Sequence, residues 1–368
     1  MPEDSVPAAR LVRTVASPLA PGSADAPGLL PQAGRRLVVQ RGDAELAVVD
    51  ADSGQAVRFP APWPRRFGTA TVSPDGRTAV FAGTHAVRCV DASGAVLWEV
   101  RHGCWSGECP ELHREFAEYA DDPVEHGGRP DGGSAAFSPD GKLVWAHVLG
   151  PLPDHADALG DVEDEDDEFW LVLDAADGRV LGLTGTGTVA AGSFHTPHAD
   201  PAQMGLSIGE GEEGSPALWG RWDGRTLSVR TVDAETVLLD ASPSGRHLLA
   251  TDVQQDALYL RAAGDGAILR DLDAHGTVPA LPGGGRVYWD FEAAFVGEHL
   301  AVAGTSASDG GRHPARHWLV DTTGMTLRGA VAYPRPVTGP VRPAGGGAWW
   351  TVARDGTRVE VWELADED

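Results

Sequence analysis

A short turn sequence recurs along this chain and divides it into similar units. SPDG occurs at 73–76 and 138–141, and SPSG occurs at 242–245, each between two segments of alternating apolar residues. In such a turn Pro fixes φ, Asp or Ser bonds the backbone, and Gly takes the positive φ that closes a hairpin. Weaker copies of the pattern begin near residues 31, 200, 294 and 343. The sequence therefore predicts seven hairpins.

Each hairpin is followed by a third apolar segment that often ends in an acidic residue, as in AELAVVD (44–50), FWLVLD (169–174) and HWLVD (317–321). A Gly-bearing turn and a fourth segment usually come next. Seven units over 368 residues give about 50 residues each, which is typical of a four-stranded propeller blade. Such a blade cannot bury both of its faces alone, whereas stacked blades bury them for one another.

With these motifs the chain resembles the seven-bladed β-propellers of the WD-repeat type and their bacterial relatives, from about residue 9 to 364. The resemblance rests on the SPDG turns and on the third-strand endings Asp91 and Trp362-Glu363. The Gly-His start is absent, and most third strands lack Trp-Asp. We expect an all-β fold in one domain, 1–368, with seven four-stranded antiparallel blades. The last unit is one strand short, and the alternating segment 9–15 is expected to complete it and close the ring.

Composition restricts the partners and the compartment. The net charge of −25 and the pI of 4.7 disfavour nucleic acid and acidic membranes as partners. Three cysteines in a chain of this size indicate a reducing compartment. We find no secretory signal and no apolar run long enough to span a membrane, so a soluble, cytoplasmic protein is predicted.

Four long insertions are expected on the same face of the ring, since each lies before a first strand or between a second and a third strand. They are 101–132, which includes a short helix, the acidic loop 149–168, and residues 209–216 and 304–316. Insertions gathered on one rim are typical of a binding surface. Residues 154–168 hold nine acidic residues and no Arg or Lys.

The sequence therefore predicts a non-catalytic interaction scaffold that presents an acidic face to a basic peptide or protein. The candidate partner-binding residues are Glu163, Asp164, Glu165, Asp166, Asp167, Glu168, Glu210, Glu212 and Glu213. Alternatively, the acidic run is a solvated loop that keeps the protein soluble. Its acids lack the alternating spacing and the turn glycine of a calcium-binding loop.

A metal site is the main alternative, with zinc as the metal that the side chains suit. Cys104, Cys109 and His113 lie within ten positions, with Cys109 and His113 one helical turn apart, and His102 or His126 can complete the set. The same stretch also fits a structural clip of packed thiols. A second candidate pair is His195 and His198, with Asp200 close by, although a Pro-bearing turn between a first and a second strand also explains these residues.

The alternative function is then a metal-binding protein or a metal-dependent enzyme of the lyase or hydrolase type. Binding of a small ligand or a sugar at the channel mouth is a third class, which exposed aromatic side chains would indicate. No Ser-His-Asp order typical of a hydrolase stands out, and Ser207 does not lie in a G-x-S-x-G elbow.

Overall fold

The computed structural model describes residues 6–32, 34–105, 112–121, 132–154, 168–211, 214–280, 285–305 and 315–365. The described residues form seven antiparallel sheets of four strands, arranged as a ring of blades. Blade 1 contains β2 (Gly28–Gln32), β3 (Arg35–Arg41), β4 (Glu45–Asp50) and β5 (Ala56–Pro60). Blade 2 contains β6 (Gly68–Val72), β7 (Thr78–Gly83), β8 (Ala86–Asp91) and β9 (Val96–Arg101).

The next two blades carry the candidate site residues. Blade 3 contains β10 (Ser134–Phe137), β11 (Leu143–Leu149), β12 (Glu168–Asp174) and β13 (Val180–Gly185). Blade 4 contains β14 (Gly192–Pro197), β15 (Gln203–Gly209), β16 (Ala217–Trp222) and β17 (Leu227–Asp233).

Three further blades complete the ring. Blade 5 contains β18 (Thr236–Ala241), β19 (His247–Asp252), β20 (Ala257–Ala262) and β21 (Ile268–Asp273). Blade 6 contains β22 (Ala293–Gly297), β23 (Leu300–Gly304), β24 (His317–Asp321) and β25 (Thr326–Ala330). Blade 7 contains β26 (Arg342–Gly345), β27 (Ala348–Val352) and β28 (Arg358–Leu364), together with β1 (Ala9–Ala16).

The SPDG turns form the predicted hairpins because their side chains replace missing backbone bonds. The hydroxyl of Ser73 donates to Asp75 Oδ1 at 2.6 Å and accepts from the Thr78 amide at 3.0 Å. Gly76 closes the turn with φ of +71°, a conformation that few other residues adopt. The turn at 138–142 repeats these bonds and joins β10 to β11.

The N-terminal strand closes the ring as predicted. β1 pairs antiparallel with β28, from Ala9 opposite Leu364 to Ala16 opposite Arg358. An ion pair between Arg10 and Glu363, with N···O at 2.9 Å, lies on the same edge. The edge of blade 7 is thereby paired inside the molecule.

The hydrophobic core lies between the blades. Each of the seven apolar clusters among the described residues joins two neighbouring blades. The cluster between blades 3 and 4 includes Trp145 and Trp170, whose rings are 5.2 Å apart. The first strands of successive blades contact one another from β6 to β26, and β26 contacts β2, so these strands form the inner wall.

Helical structure is slight in the described part of the chain. It consists of two 3₁₀ turns, Arg65–Phe67 and Phe116–Glu118, and one α-helical turn, Ala274–Thr277. No helix among the described residues has the length and apolar character to cross a membrane.

Candidate functional site

The four predicted insertions leave the ring at one end. They join β9 to β10, β11 to β12, β15 to β16, and β23 to β24. In a meander the turns alternate between the two ends of the strands, so all four connections emerge on the face opposite the SPDG turns. We call this end of the ring the insertion face.

Hydrogen bonds fix the roots of these connections to the ring. The Arg101 guanidinium contacts both carboxylate oxygens of Asp154, at 2.8 and 2.7 Å, and so joins the ends of two insertions. The amide of Gly103 donates to the Leu149 carbonyl at 2.9 Å. A bidentate Arg–carboxylate pair sets the orientation of both partners, so the described ends of the two insertions have defined positions.

Two of the predicted partner-binding acids lie among the described residues, and both bond to the connection between β13 and β14. Glu168, the first residue of β12, is only 4% exposed. Its carboxylate accepts from the Thr188 hydroxyl and from the Ala190 amide, each at 2.5 Å. Glu210 accepts from the Val189 amide at 3.0 Å. The other candidates, Glu163, Asp164, Glu165, Asp166, Asp167, Glu212 and Glu213, lie outside the described residues.

Glu168 is held in its ionised form. Burial opposes ionisation, but the neighbouring His147 ring and hydrogen bonds from Ala190 and Thr188 outweigh it and hold the pKa of this carboxyl below its ordinary value. The imidazole Nε2 of His147 lies 3.2 Å from Glu168 Oε2, an ion-pair separation. This nitrogen makes no well-aligned hydrogen bond to any described residue. The carboxylate charge is thus directed into the blade rather than offered to a partner.

The described parts of the Cys/His stretch lie beside blade 2, where the Trp105 amide donates to the Thr84 carbonyl at 3.0 Å. Cys104 is buried at 7% exposure, whereas Cys109 lies outside the described residues. His113 Nδ1 lies 3.2 Å from Glu118 Oε2. Within 112–121 the predicted helix is reduced to a single 3₁₀ turn that begins after His113. The helical spacing on which the Cys109–His113 pair was predicted is therefore not present at His113.

Aromatic contacts hold this segment in place. The hydroxyl of Tyr119 lies 2.6 Å from His85 Nδ1, and Phe116 packs edge-on against Phe67 with ring centroids 5.0 Å apart. Burial lowers the pKa of His85 to about 4 and that of His102 to about 3, so both rings are neutral near pH 7. These contacts fix residues 116–119 against blade 2.

The predicted pair His195 and His198 is divided between two environments. His198 lies in the turn after β14, where its Nε2 donates to the Gly245 carbonyl at 2.7 Å and its Nδ1 accepts from the Asp200 amide at 3.1 Å. His195 lies inside β14, not in the turn where the sequence placed it. The described residues contain no group of three or more His, Cys, Asp or Glu side chains placed to hold a metal ion.

His195 belongs instead to a chain of polar side chains between blades 3 and 4. Its Nε2 accepts from the Trp170 indole at 3.1 Å, and its Nδ1 lies 3.1 Å from Ser134 Oγ. Ser134 Oγ lies 2.8 Å from Ser193 Oγ, which lies 3.0 Å from Nδ1 of the fully buried His147. Glu168 ends the chain.

Sequence reasoning missed this chain of contacts, which we call the Ser193 network. Its members, Trp170, His195, Ser134, Ser193, His147 and Glu168, come from four strands, β10, β11, β12 and β14. No local motif marks such a set. The only signal in the sequence is that serine and histidine residues occur within strands that would otherwise be apolar.

Ser193 also lines a pocket at the insertion-face end of the inner wall. The pocket has a volume of about 190 Å³, and its walls come from blades 2, 3 and 4. Its other lining residues are Arg66, Phe67, Gly68, Thr69, Ala82, Gly83, Thr84, Gly132, Gly133, Ala191 and Gly192. Phe194, the next residue of β14, is 46% exposed. Most of the residues that line the pocket are thus small. One of them, Ser193, has a hydroxyl that belongs to the Ser193 network.

Comparisons with known proteins bear on the fold. No family model matches the chain, and no curated protein matches it either. A chain from the crystal structure of the mitotic checkpoint complex is similar at 15% identity and a TM-score of 0.55, covering 100% of this chain and 95% of that one.

Two further propeller structures are similar. The β-propeller domain of Cps50 (Swd1) from Myceliophteria thermophila has 12% identity and a TM-score of 0.53, covering 96% of this chain and 100% of that one. A chain from the structure of BBS1N in complex with ARL6DN has 10% identity and a TM-score of 0.51, covering 98% of each. The chain is a seven-bladed β-propeller with WD-repeat-like structural neighbours.

Proposed function

We propose that this propeller is a protein-interaction scaffold whose partner surface is the insertion face. The observation that carries the proposal is the position of the four predicted insertions, which all leave the ring at the same end. Propellers commonly place binding loops on a rigid ring, because the closed scaffold fixes the loop roots and leaves the loop sequences free to vary.

Charge supports a basic partner. The insertions hold much of the chain's acidity: residues 154–168 carry nine acids without Arg or Lys, and 101–132 carry eight acids against three Arg. With the three acids of 210–213, these segments supply 17 of the 25 excess negative charges. Such a concentration of one sign attracts an oppositely charged surface and speeds its association.

The anchored roots support the same proposal. Arg101 and Asp154 join two of the insertions, and Glu210 holds the connection that precedes β14. A partner that binds loops with fixed roots loses less conformational freedom on binding than one that must order them. Two of the similar structures, the mitotic checkpoint complex and BBS1N with ARL6DN, are complexes, which is consistent with a binding role here.

The test is to neutralise the acidic insertion while keeping its length. One variant replaces the acids of 157–167 with Asn and Gln, and a matched control keeps the composition of 157–167 but scrambles its order. The immobilised proteins are exposed to an extract of the source cells at two salt concentrations. We expect basic proteins to be retained by the wild type and by the scrambled control, to be lost from the neutralised variant, and to dissociate at high salt.

The proposal fails if a folded neutralised variant retains the same proteins in the same amounts. Circular dichroism and thermal unfolding establish that each variant is folded. If the scrambled control also loses the partner, recognition depends on the sequence of the loop as well as on its charge.

A further inference from the structure

The Ser193 network has one consistent direction of hydrogen bonding. The Trp170 indole N–H can only donate, so His195 Nε2 is an acceptor and His195 Nδ1 carries the ring proton. Burial lowers the pKa of His195 to about 3, so the ring is neutral. His195 therefore donates to Ser134, and Ser134 donates to Ser193.

The direction continues to the carboxylate. Ser193 Oγ accepts the hydrogen bond from the Ser134 hydroxyl. It then donates its own proton to His147 Nδ1, at 3.0 Å. His147 then carries its ring proton on Nε2, which faces the ionised Glu168. A hydroxyl that donates to an imidazole whose other nitrogen faces a carboxylate has the donor order of an activated nucleophile.

The site is built rather than incidental. His147 and Glu168 are buried, and the Thr188 hydroxyl and the Ala190 amide hold the carboxylate in place. Ser193, in contrast, is partly exposed and lines the 190 Å³ pocket on the insertion face. The base and the carboxylate are thus shielded from water, while Ser193 lies at the pocket wall.

We propose that Ser193 is a nucleophile for small esters, with His147 as its general base and Glu168 as a positioning residue. Ser193 Oγ attacks the ester carbonyl carbon while its proton passes to His147 Nδ1. The tetrahedral intermediate expels the alcohol, which takes the proton back from His147, and leaves the acyl group on Ser193. Water then attacks the acyl-enzyme, transfers a proton through His147, and releases the carboxylic acid. The pocket volume restricts the acyl group to a short chain.

This inference does not depend on the scaffold proposal, because it concerns the pocket rather than the acidic loops. Its test uses the full chain and two probes, p-nitrophenyl acetate and a small alkyl fluorophosphonate, with peptide mapping by mass spectrometry. We expect one adduct per chain at Ser193. The exposed Ser244, which bonds Glu298 on the opposite face, serves as an internal control and is expected to remain unmodified.

Variants separate the roles. Ser193→Ala should abolish the adduct, and His147→Gln should slow its formation by about 10²–10⁴-fold, as expected for loss of a general base. Glu168→Gln should slow acylation less and change its pH profile, a change that a purely structural role would not cause. Thermal unfolding of each variant shows whether the ring is intact.

The wild type alone can overturn the proposal. If the folded protein remains unmodified at Ser193 after prolonged exposure to both probes, Ser193 is not a nucleophile, whatever the variants do. Labelling of Ser193 at the same rate in a folded His147→Gln variant would likewise refute the role of His147.

Discussion

Replacing Glu168 with Ala tests the physical account of the insertion face most directly. The carboxylate accepts from Thr188 and Ala190 at 2.5 Å and faces His147 at 3.2 Å. Its removal leaves the buried Ala190 amide without its acceptor and the buried His147 ring without the carboxylate beside it. Depriving buried donors of their acceptor costs about 1–3 kcal/mol each, so the loss of the contacts with Ala190, Thr188 and His147 should cost about 3–5 kcal/mol together.

The expected shift in melting temperature follows from the size of the chain. Unfolding entropy is about 2.1 cal/mol/K per residue, which for 368 residues gives about 0.8 kcal/mol/K. The Glu168→Ala variant should therefore melt about 4–6 °C below the wild type. Glu210→Ala is the matched control, because Glu210 makes one bond to the same connection from a partly exposed position. We expect the Glu210→Ala control to melt about 1 °C below the wild type.

The pH dependence gives a second check. The folded-state pKa of Glu168 is lowered, so its contribution to stability is complete above the unfolded-state pKa of about 4.3 and is lost as the pH falls through the folded-state pKa. The difference in stability between the wild type and Glu168→Ala should hence shrink below about pH 4.3. Equal melting shifts for the two variants at pH 7, or a difference that grows towards acid, would refute the reasoning.

Three further predictions concern the ring and its histidines. Burial lowers the pKa of His85 and His317 to about 4, so the unfolded chain binds more protons between about pH 6.5 and 4; the urea midpoint should fall from pH 7 to pH 5, and an unchanged midpoint would contradict this. Removal of residues 1–17 exposes the edge of β28, so we expect earlier melting and concentration-dependent association in size-exclusion chromatography, and a monodisperse variant of wild-type stability would count against it. If the Cys/His prediction holds, protein purified without chelators contains stoichiometric zinc that a Cys104→Ser/Cys109→Ser variant loses, whereas zinc-free protein or zinc retained by the variant contradicts it.

The sequence predicts this fold well because the relevant chemistry is local. The bonds that close the SPDG turns join residues two to five positions apart, such as Ser73 to Asp75 and to Thr78. A pattern within six residues therefore specifies each hairpin, and the number of hairpins specifies the number of blades. The closing strand was predictable for a related reason, since the last unit is one strand short and 9–15 alternates.

The site was less predictable because its contacts cross a blade interface. Ser193 contacts Ser134 and His147, which precede it by 59 and 46 positions. Their meeting depends on how blades 3 and 4 pack, which no short pattern encodes. Glu168 illustrates the same point: it ends an acidic run that is typical of a solvated loop, yet as the first residue of β12 it turns inward.

The position of the Ser193 network also explains how a binding face and a buried polar chain can occupy the same end of the ring. A blade interface that ends at the channel mouth cannot be apolar throughout, because the strand ends carry polar backbone groups that need partners. The Glu168 carboxylate is such a partner for the Ala190 amide, and its buried charge lies beside His147. Once Glu168 and His147 are fixed, the Ser193 hydroxyl is oriented by its contact with His147 Nδ1. The same requirement that anchors the connection before β14 thus places Ser193 at the pocket wall, beside the loops that we propose as the partner surface.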